Sequence, residues 1–305
     1  MPNLPFTFRG LMAPVFTPFT ANGTLKLDMV PSYANYLAEY GINGVLVNGT
    51  TGEGMSMNLQ ERKSVAEAWS RTVKFTEQHM MVQVGGTNLP DVIELAKHAE
   101  SIQANSILCL PELYNKPSTS EELVDYLKLV AQAAPRTPLL YYHIPSYTNV
   151  NIHMGQFLES VKNEIPSLVG IKFTSTDLIE GTQALHVNDN QYVVFLGCDQ
   201  LISAGCSLGL ECFIATSINV FPRLVKELID ANNSAELIIA KKKQETLTDA
   251  INIVSKYGNW VPTMKYATQV ISMLQVGPPR NPLKQLSDKS MKWMKEYLKS
   301  LKNIN

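Results

Sequence analysis

The chain lacks most of what would mark a membrane, nucleic-acid or metal protein. No apolar run approaches the ~18 residues that a membrane span requires. An excess of one charge is missing too: 26 lysines and arginines against 27 aspartates and glutamates leave a formal charge of −1. With no basic arm and no block of five like charges, there is no electrostatic footprint for a phosphate backbone or an anionic bilayer, so neither nucleic acid nor membrane is an expected partner. Cysteine is scarce. Cys109, Cys198, Cys206 and Cys212 lie among apolar or small residues without C-x-x-C spacing, the pattern of reduced core thiols rather than of disulfides or a zinc site. The five histidines, His79, His98, His143, His153 and His186, include no pair at ligand spacing, so no metal is expected. A Walker loop is absent. The opening Met1-Pro2-Asn3-Leu4-Pro5 has neither a basic nor an apolar signal region, and the cytoplasm is the expected compartment.

What is there is a regular alternation. Short runs rich in Val, Ile and Leu predict strands at Leu11–Phe16, Val45–Asn48, Met81–Gly85, Ile107–Leu110, Leu139–His143, Leu168–Phe173, Tyr192–Gly197 and Cys212–Ala215. Helical patterns follow at Asp28–Tyr40, Leu59–Glu77, Leu89–Ile102, Ser120–Ala133, His153–Ile165, Asp177–His186, Gln200–Leu208 and Phe221–Ala231. Eight strand-helix units make an α/β fold, most economically a closed (β/α)8 TIM barrel. A doubly wound open sheet would need a glycine-rich phosphate turn after its first strand, which Met12-Ala-Pro-Val-Phe-Thr-Pro-Phe cannot supply. Residues 1–231 are therefore expected to form the barrel. Residues 232–305, with helical patterns at Ala235–Lys256, Met264–Leu274 and Ser287–Leu301, are expected to form a C-terminal helical extension packed on it within one structural domain.

Barrel chemistry sits at the C-terminal ends of the strands, so polar residues closing an apolar run are informative. In Leu168-Val-Gly-Ile-Lys-Phe-Thr, period-2 alternation puts Gly170, Lys172 and Thr174 on one face; with Val169, Ile171 and Phe173 toward the helices, Lys172 points into the barrel mouth. Burial disfavours the charged ammonium over the free amine, the form that attacks a carbonyl. The plain alternative is a lysine reaching out to water from the strand end, and the strand alone does not choose between them. In Leu139-Leu-Tyr-Tyr-His the same parity groups Tyr142 with Leu140, away from Tyr141 and His143. A phenol beside an amine can carry protons during imine formation, though aromatics at such ends commonly just pack. The loop Asn48-Gly-Thr-Thr-Gly-Glu brackets Thr50 and Thr51 with glycines, either a cradle for a small carboxylate or a tight turn with satisfied hydroxyls. Glu53 is expected to be structural, bonding the loop's own backbone. By elimination, imine formation by a lysine is the strongest chemistry available.

Gly49-Thr-Thr-Gly-Glu, Tyr142-His-Ile-Pro-x-x-Thr and Gly170-Ile-Lys172-Phe-Thr resemble, in order and spacing, the signatures of the dihydrodipicolinate synthase and N-acetylneuraminate lyase superfamily of class I aldolases. The likeness spans nearly the whole chain, including the late Gly277-Pro-Pro-Arg-Asn-Pro-Leu. It implies a pyruvate-handling enzyme on a (β/α)8 barrel, assembled as a homotetramer of two tight dimers, with neither metal nor cofactor. By motif position Lys172 would form the Schiff base and Tyr142 would transfer the proton, supported by Thr50. Thr50 and Thr51 would hold the pyruvoyl carboxylate, and Tyr114 would reach a neighbouring subunit's site.

Where the synthase branch has an arginine for its second substrate this chain has Tyr147, and the Tyr-Tyr-His-Ile-Pro string is similar to the lyase branch instead. That branch implies reversible cleavage of N-acetylneuraminate, a sialic acid, to N-acetylmannosamine and pyruvate. Gly197, Asp199, Gln200 and Thr216 would bind the sugar tail, and Thr174 is counted with the substrate-binding set. The chain departs from the lyase pattern at Gln200, where a glutamate is usual; an amide offers an oxygen and two N–H donors but no charged acceptor. Ala215-Thr216-Ser217 and Tyr147 depart as well. Two other readings stand beside this one: another 2-keto-acid aldolase or a synthase-like enzyme of the family, and a non-catalytic keto-acid or sugar-acid binding protein.

Overall fold

The computed structural model describes residues 4–301; Met1-Pro2-Asn3, part of the N-terminal stretch read above, lies outside them. The predicted apolar runs become eight strands: β1 (Gly10–Pro14), β2 (Gly44–Val47), β3 (His79–Gln83), β4 (Ser106–Cys109), β5 (Leu139–His143), β6 (Leu168–Phe173), β7 (Val193–Leu196) and β8 (Cys212–Ile214). They are parallel where their register is given and close in sequence order, β1 to β8. Helices follow the strands: α1 (Val30–Glu39), α2 (Leu59–Thr76), α3 (Leu89–Ser101), α4 (Ser120–Ala133), then the single turn α5 (Pro145–Thr148), α6 (Met154–Val161), α7 (Leu178–Leu185), α8 (Ile202–Ser207) and α9 (Pro222–Asn233). Three more helices follow among the described residues, α10 (Leu237–Ser255), α11 (Trp260–Ser272) and α12 (Asp288–Ser300). This is the (β/α)8 barrel that the alternation predicted. Among the described residues no helix is long and apolar enough to cross a membrane.

Helix ends sit where local chemistry stops them. Asn58 and Glu61 form a reciprocal capping box on α2, and Asn88 and Thr119 cap α3 and α4. His153 lies outside its predicted helix because it is the N-cap, its side chain accepting from the Gln156 N–H. The α6 helix ends at Val161, short of the expected Ile165, because Lys162 turns to φ 49°. The helix expected from Gln200 begins instead with a 3₁₀ turn, Asp199–Leu201, and α11 starts at Trp260, ahead of the expected Met264, with Pro262 tolerated in its first turn. The turn α5 was not foreseen.

Two compact bodies can be described separately. One contains His79–Ile214; the other joins Leu11–Gln78 to the residues from Ala215 on. In the first, β5 and β6 pair with Tyr142 opposite Lys172 and His143 opposite Phe173. Tyr141 packs 5.5 Å from the Phe157 ring of α6, and His143 stacks on Phe173 at 5.4 Å. Those residues thus face the helices, leaving Tyr142 and Lys172 on the opposite face. In the second, the Tyr33 hydroxyl donates to Asn219 Oδ1 (2.7 Å) and accepts from the Phe16 N–H, while the Asn219 amide donates to the Pro14 carbonyl (3.0 Å). These bonds tie α1 and β1 to the 3₁₀ turn Thr216–Asn219.

Candidate active site

Lys172 is the fifth of the six residues of β6 and only 5% exposed. Its Nζ donates to the Tyr142 hydroxyl at 3.0 Å and lies 4.1 Å from the centre of that ring. Tyr142 is itself buried. An amine and a phenol in hydrogen-bond reach can pass a proton between them, and the cation-π geometry holds the amine over the ring. The close packing of strands here depends on a missing side chain: a Cβ at Gly197 would lie 2.2 Å from Thr174 Oγ1. That hydroxyl is buried with no hydrogen-bond partner, an acceptor and donor held in reserve beside the lysine strand.

Asp199 is buried in the turn after β7, whereas Gln200 is exposed. Between Gly197 and Asp199, the Cys198 thiol donates to the Ser175 carbonyl, and burial pushes its pKa up to about 11, so it is a thiol and not a thiolate. Cys198 and Cys206 are half-buried, not core residues as expected, while Cys109 and Cys212 are buried; all four are free. Tyr114 is 91% exposed and joins none of these contacts.

A second group follows β2. Thr51 is buried and its hydroxyl lies 3.0 Å from that of Thr216, also buried; the Thr17 hydroxyl donates to the Gly52 carbonyl. Thr50 is half-buried. The loop folds back so tightly that a Cβ at Gly54 would sit 2.1 Å from the Asn48 carbonyl oxygen. Glu53 is structural, as expected, but not through the loop's own backbone. Its carboxylate accepts from Lys265 Nζ of α11 (2.7 Å) and from the Arg280 backbone N–H (2.7 Å). Lys265 also donates to the carbonyls of Thr17 and Pro278, and its side chain is 1% exposed. Burial pulls its pKa below the usual lysine range, with the Glu53 carboxylate opposing that shift. Arg280 forms a two-pronged pair with Glu61. The sequence reading assigned no role to Lys265 or Arg280. A lysine set among the apolar residues of α11 was the available signal. Among the described residues no group of three or more His, Cys, Asp or Glu is placed to hold a metal.

His143, behind Tyr142, has its pKa pulled down from 6.5 to about 4 by burial and, less strongly, by His153. Burial pulls His79 down to about 4 as well. The unfolded chain takes up these protons as pH falls below 6.5, before the folded chain does. Stability is therefore full above that pH and is lost as pH falls toward 4, by about 3 kcal/mol for each histidine at most. Thermal melting of wild type and His143→Phe between pH 7 and 4.5 checks this. The wild type is expected to lose more, and identical acid limbs would refute the assignment.

Fold and residues together define a class: a (β/α)8 barrel carrying an amine beside a phenol at the C-terminal ends of adjacent strands, the end where such barrels do their chemistry. The chain matches the dihydrodipicolinate synthetase family over residues 7–301 and belongs to it. It is 34% identical over 294 residues to N-acetylneuraminate lyase of Gallus gallus, covering 96% of each chain. It is also 34% identical over 295 residues to that of Homo sapiens, covering 96% of this chain and 92% of the other. Among solved structures, Proteus mirabilis N-acetylneuraminate lyase matches with a TM-score of 0.91 at 31% identity, covering 96% of this chain and 98% of that one.

Proposed function

We propose that the chain is a Schiff-base aldolase that cleaves N-acetylneuraminate reversibly to N-acetylmannosamine and pyruvate. The observation that carries this reading is the buried 3.0 Å contact between the Lys172 amine and the Tyr142 phenol. Relatives of matching length that are named N-acetylneuraminate lyase support the substrate. The Lys172 amine attacks the C2 ketone of the open-chain sugar, and Tyr142 gives its phenolic proton to the departing hydroxyl, so that loss of water leaves a protonated imine beside a Tyr142 phenolate. The C4 hydroxyl then gives its proton to Tyr142 as the C3–C4 bond breaks. The bonding pair passes into the iminium, leaving N-acetylmannosamine and an enamine; protonation at C3 and hydrolysis release pyruvate and the free amine. The imine nitrogen is the electron sink, so the scheme calls on no metal or cofactor.

In this reading Thr50 and Thr51 hold the carboxylate and Thr50 supports Tyr142. Thr174, Gly197, Asp199, Gln200 and Thr216 bind the rest of the substrate. The protein works in the cytoplasm as a homotetramer of two tight dimers, and the exposure of Tyr114 suits a side chain offered to a neighbouring subunit. Incubation with pyruvate and borohydride followed by peptide mapping tests the reaction class: the reduced adduct is expected on Lys172, and an adduct elsewhere or none overturns it. Tyr142→Phe is expected to slow turnover by about 10²-fold or more. A change within a few-fold would make Tyr142 a packing residue.

The exposed amide of Gln200, where the lyase pattern has a carboxylate, favours a second reading: an aldolase of the same family acting on a different aldehyde. Turnover of pyruvate with a panel of aldehydes separates the two, and a clear preference for an aldehyde other than N-acetylmannosamine selects the second.

A further inference from the structure

Thr51 does not stand alone behind the proposed carboxylate seat. Its hydroxyl is 3.0 Å from Thr216 Oγ1, and Thr216 Oγ1 in turn accepts from the indole N–H of Trp260 at 3.3 Å. Trp260 is the first residue of α11 and half-buried, and both threonines are buried. The three groups differ in what they can give. A hydroxyl has one proton and two lone pairs, whereas an indole only donates. Between two threonines alone, either can be the donor, and the arrangement in which Thr51 gives its proton to Thr216 is as good as the reverse.

The indole removes that symmetry. It already supplies a donor to Thr216, so Thr216 does not need the Thr51 proton, and its own proton is best used on Thr51. Thr51 then accepts from behind and has its single proton free for an anion in front. The Thr216 backbone is fixed independently, its carbonyl accepting from the Asn219 amide at 3.1 Å. The hydroxyl that receives the indole proton is thereby held in place.

We infer that Trp260 is a positioning residue for carboxylate recognition, acting through Thr216 to turn the Thr51 hydroxyl proton toward the substrate. This rests on the reading of Thr51 as part of the carboxylate seat. The carboxylate is bound in ground and transition states alike, so losing the polarised arrangement raises KM and leaves kcat nearly unchanged.

The test is a set of variants assayed for KM and kcat toward pyruvate in the synthetic direction, with N-acetylmannosamine saturating. Trp260→Phe removes the donor, and a rise of roughly three- to tenfold in KM is expected, the scale of one hydrogen bond. Thr216→Val breaks the chain at its middle and should raise KM at least as far, whereas Thr216→Ser, which keeps the hydroxyl, restores it. The decisive readout is the double variant: in the Thr216→Val background, Trp260→Phe should add nothing. A Trp260→Phe enzyme within twofold of wild type in KM overturns the relay, as does a full additional effect in the Thr216→Val background or a loss confined to kcat. If Trp260→Phe does not fold, the contrast between Thr216→Val and Thr216→Ser decides, and equal KM values for the two overturn the relay. Thr51→Val separates this failure from that of the underlying reading: an unchanged pyruvate KM in Thr51→Val removes the carboxylate seat itself, and the relay with it.

Discussion

Lys172→Ala is expected to abolish turnover, by roughly 10⁴-fold or more, the scale on which loss of a covalent nucleophile is felt. The argument is specific to the amine. Lys172 is held over the Tyr142 ring by a strand pairing that its side chain does not create: Tyr142 and Lys172 are opposite one another because Leu140 is opposite Gly170 and His143 opposite Phe173. Truncation at Cβ removes the proposed nucleophile and leaves that register, so the variant should melt close to the wild type. Lys172→Arg should be equally inactive, since guanidinium keeps the charge but forms no imine under these conditions. Pyruvate release, borohydride trapping and thermal melting together check this. A variant that turns over at a near-normal rate would end the imine mechanism, and one that is inactive only because it is unfolded would show in the melt.

Lys265→Ala is expected to have the largest effect on stability, about 3–5 kcal/mol. The pair it belongs to is fully enclosed, with side-chain exposures of 1% for Lys265 and 0% for Glu53. Deleting the cation leaves a buried carboxylate whose remaining protein donor is the Arg280 N–H, and it strands the Thr17 and Pro278 carbonyls that Lys265 served. The corresponding fall in melting midpoint is on the order of 10 °C. The double variant Lys265→Met with Glu53→Gln removes both charges at once and should recover much of the loss, because desolvation of an unpaired ion dominates the single change. Chemical denaturation of the two variants checks the ordering. If the double variant is less stable than the single one, the pair itself, and not the stranded charge, carries the energy.

The fold was legible because its signal is repeated. Each strand is a short apolar run bounded by turn residues, and β5 and β6 fall on their predicted limits because Pro138 and His143-Ile-Pro, like Pro166 and Thr174-Ser, mark sharp edges. Parity grouped Lys172 with Gly170 and Thr174, but that its amine stays buried rather than reaching out to water is seen only in its contact with Tyr142. Less legible were features made by contacts distant in sequence. Glu53 and Lys265 are 212 residues apart, Thr51 and Thr216 165, and no local pattern announces either pair. The histidine cap of α6 was missed for a different reason: an imidazole nitrogen accepting from a helix N–H is chemically apt but outside the usual Ser, Thr, Asp and Asn set. The site motifs were read from sequence, while the ion pair beneath the threonine loop could be seen only once α11 was in place.

The separation of these partners also bears on how the polypeptide is made. Tyr33 waits 186 residues for Asn219, and Thr17 waits 248 for Lys265. A nascent chain leaving the ribosome therefore exposes its opening strands long before their downstream partners are translated. The stretch His79–Ile214 meets most of its neighbours within itself. That stretch can make most of its contacts as soon as it has been translated, whereas Tyr33 and Thr17 must wait for residues made much later.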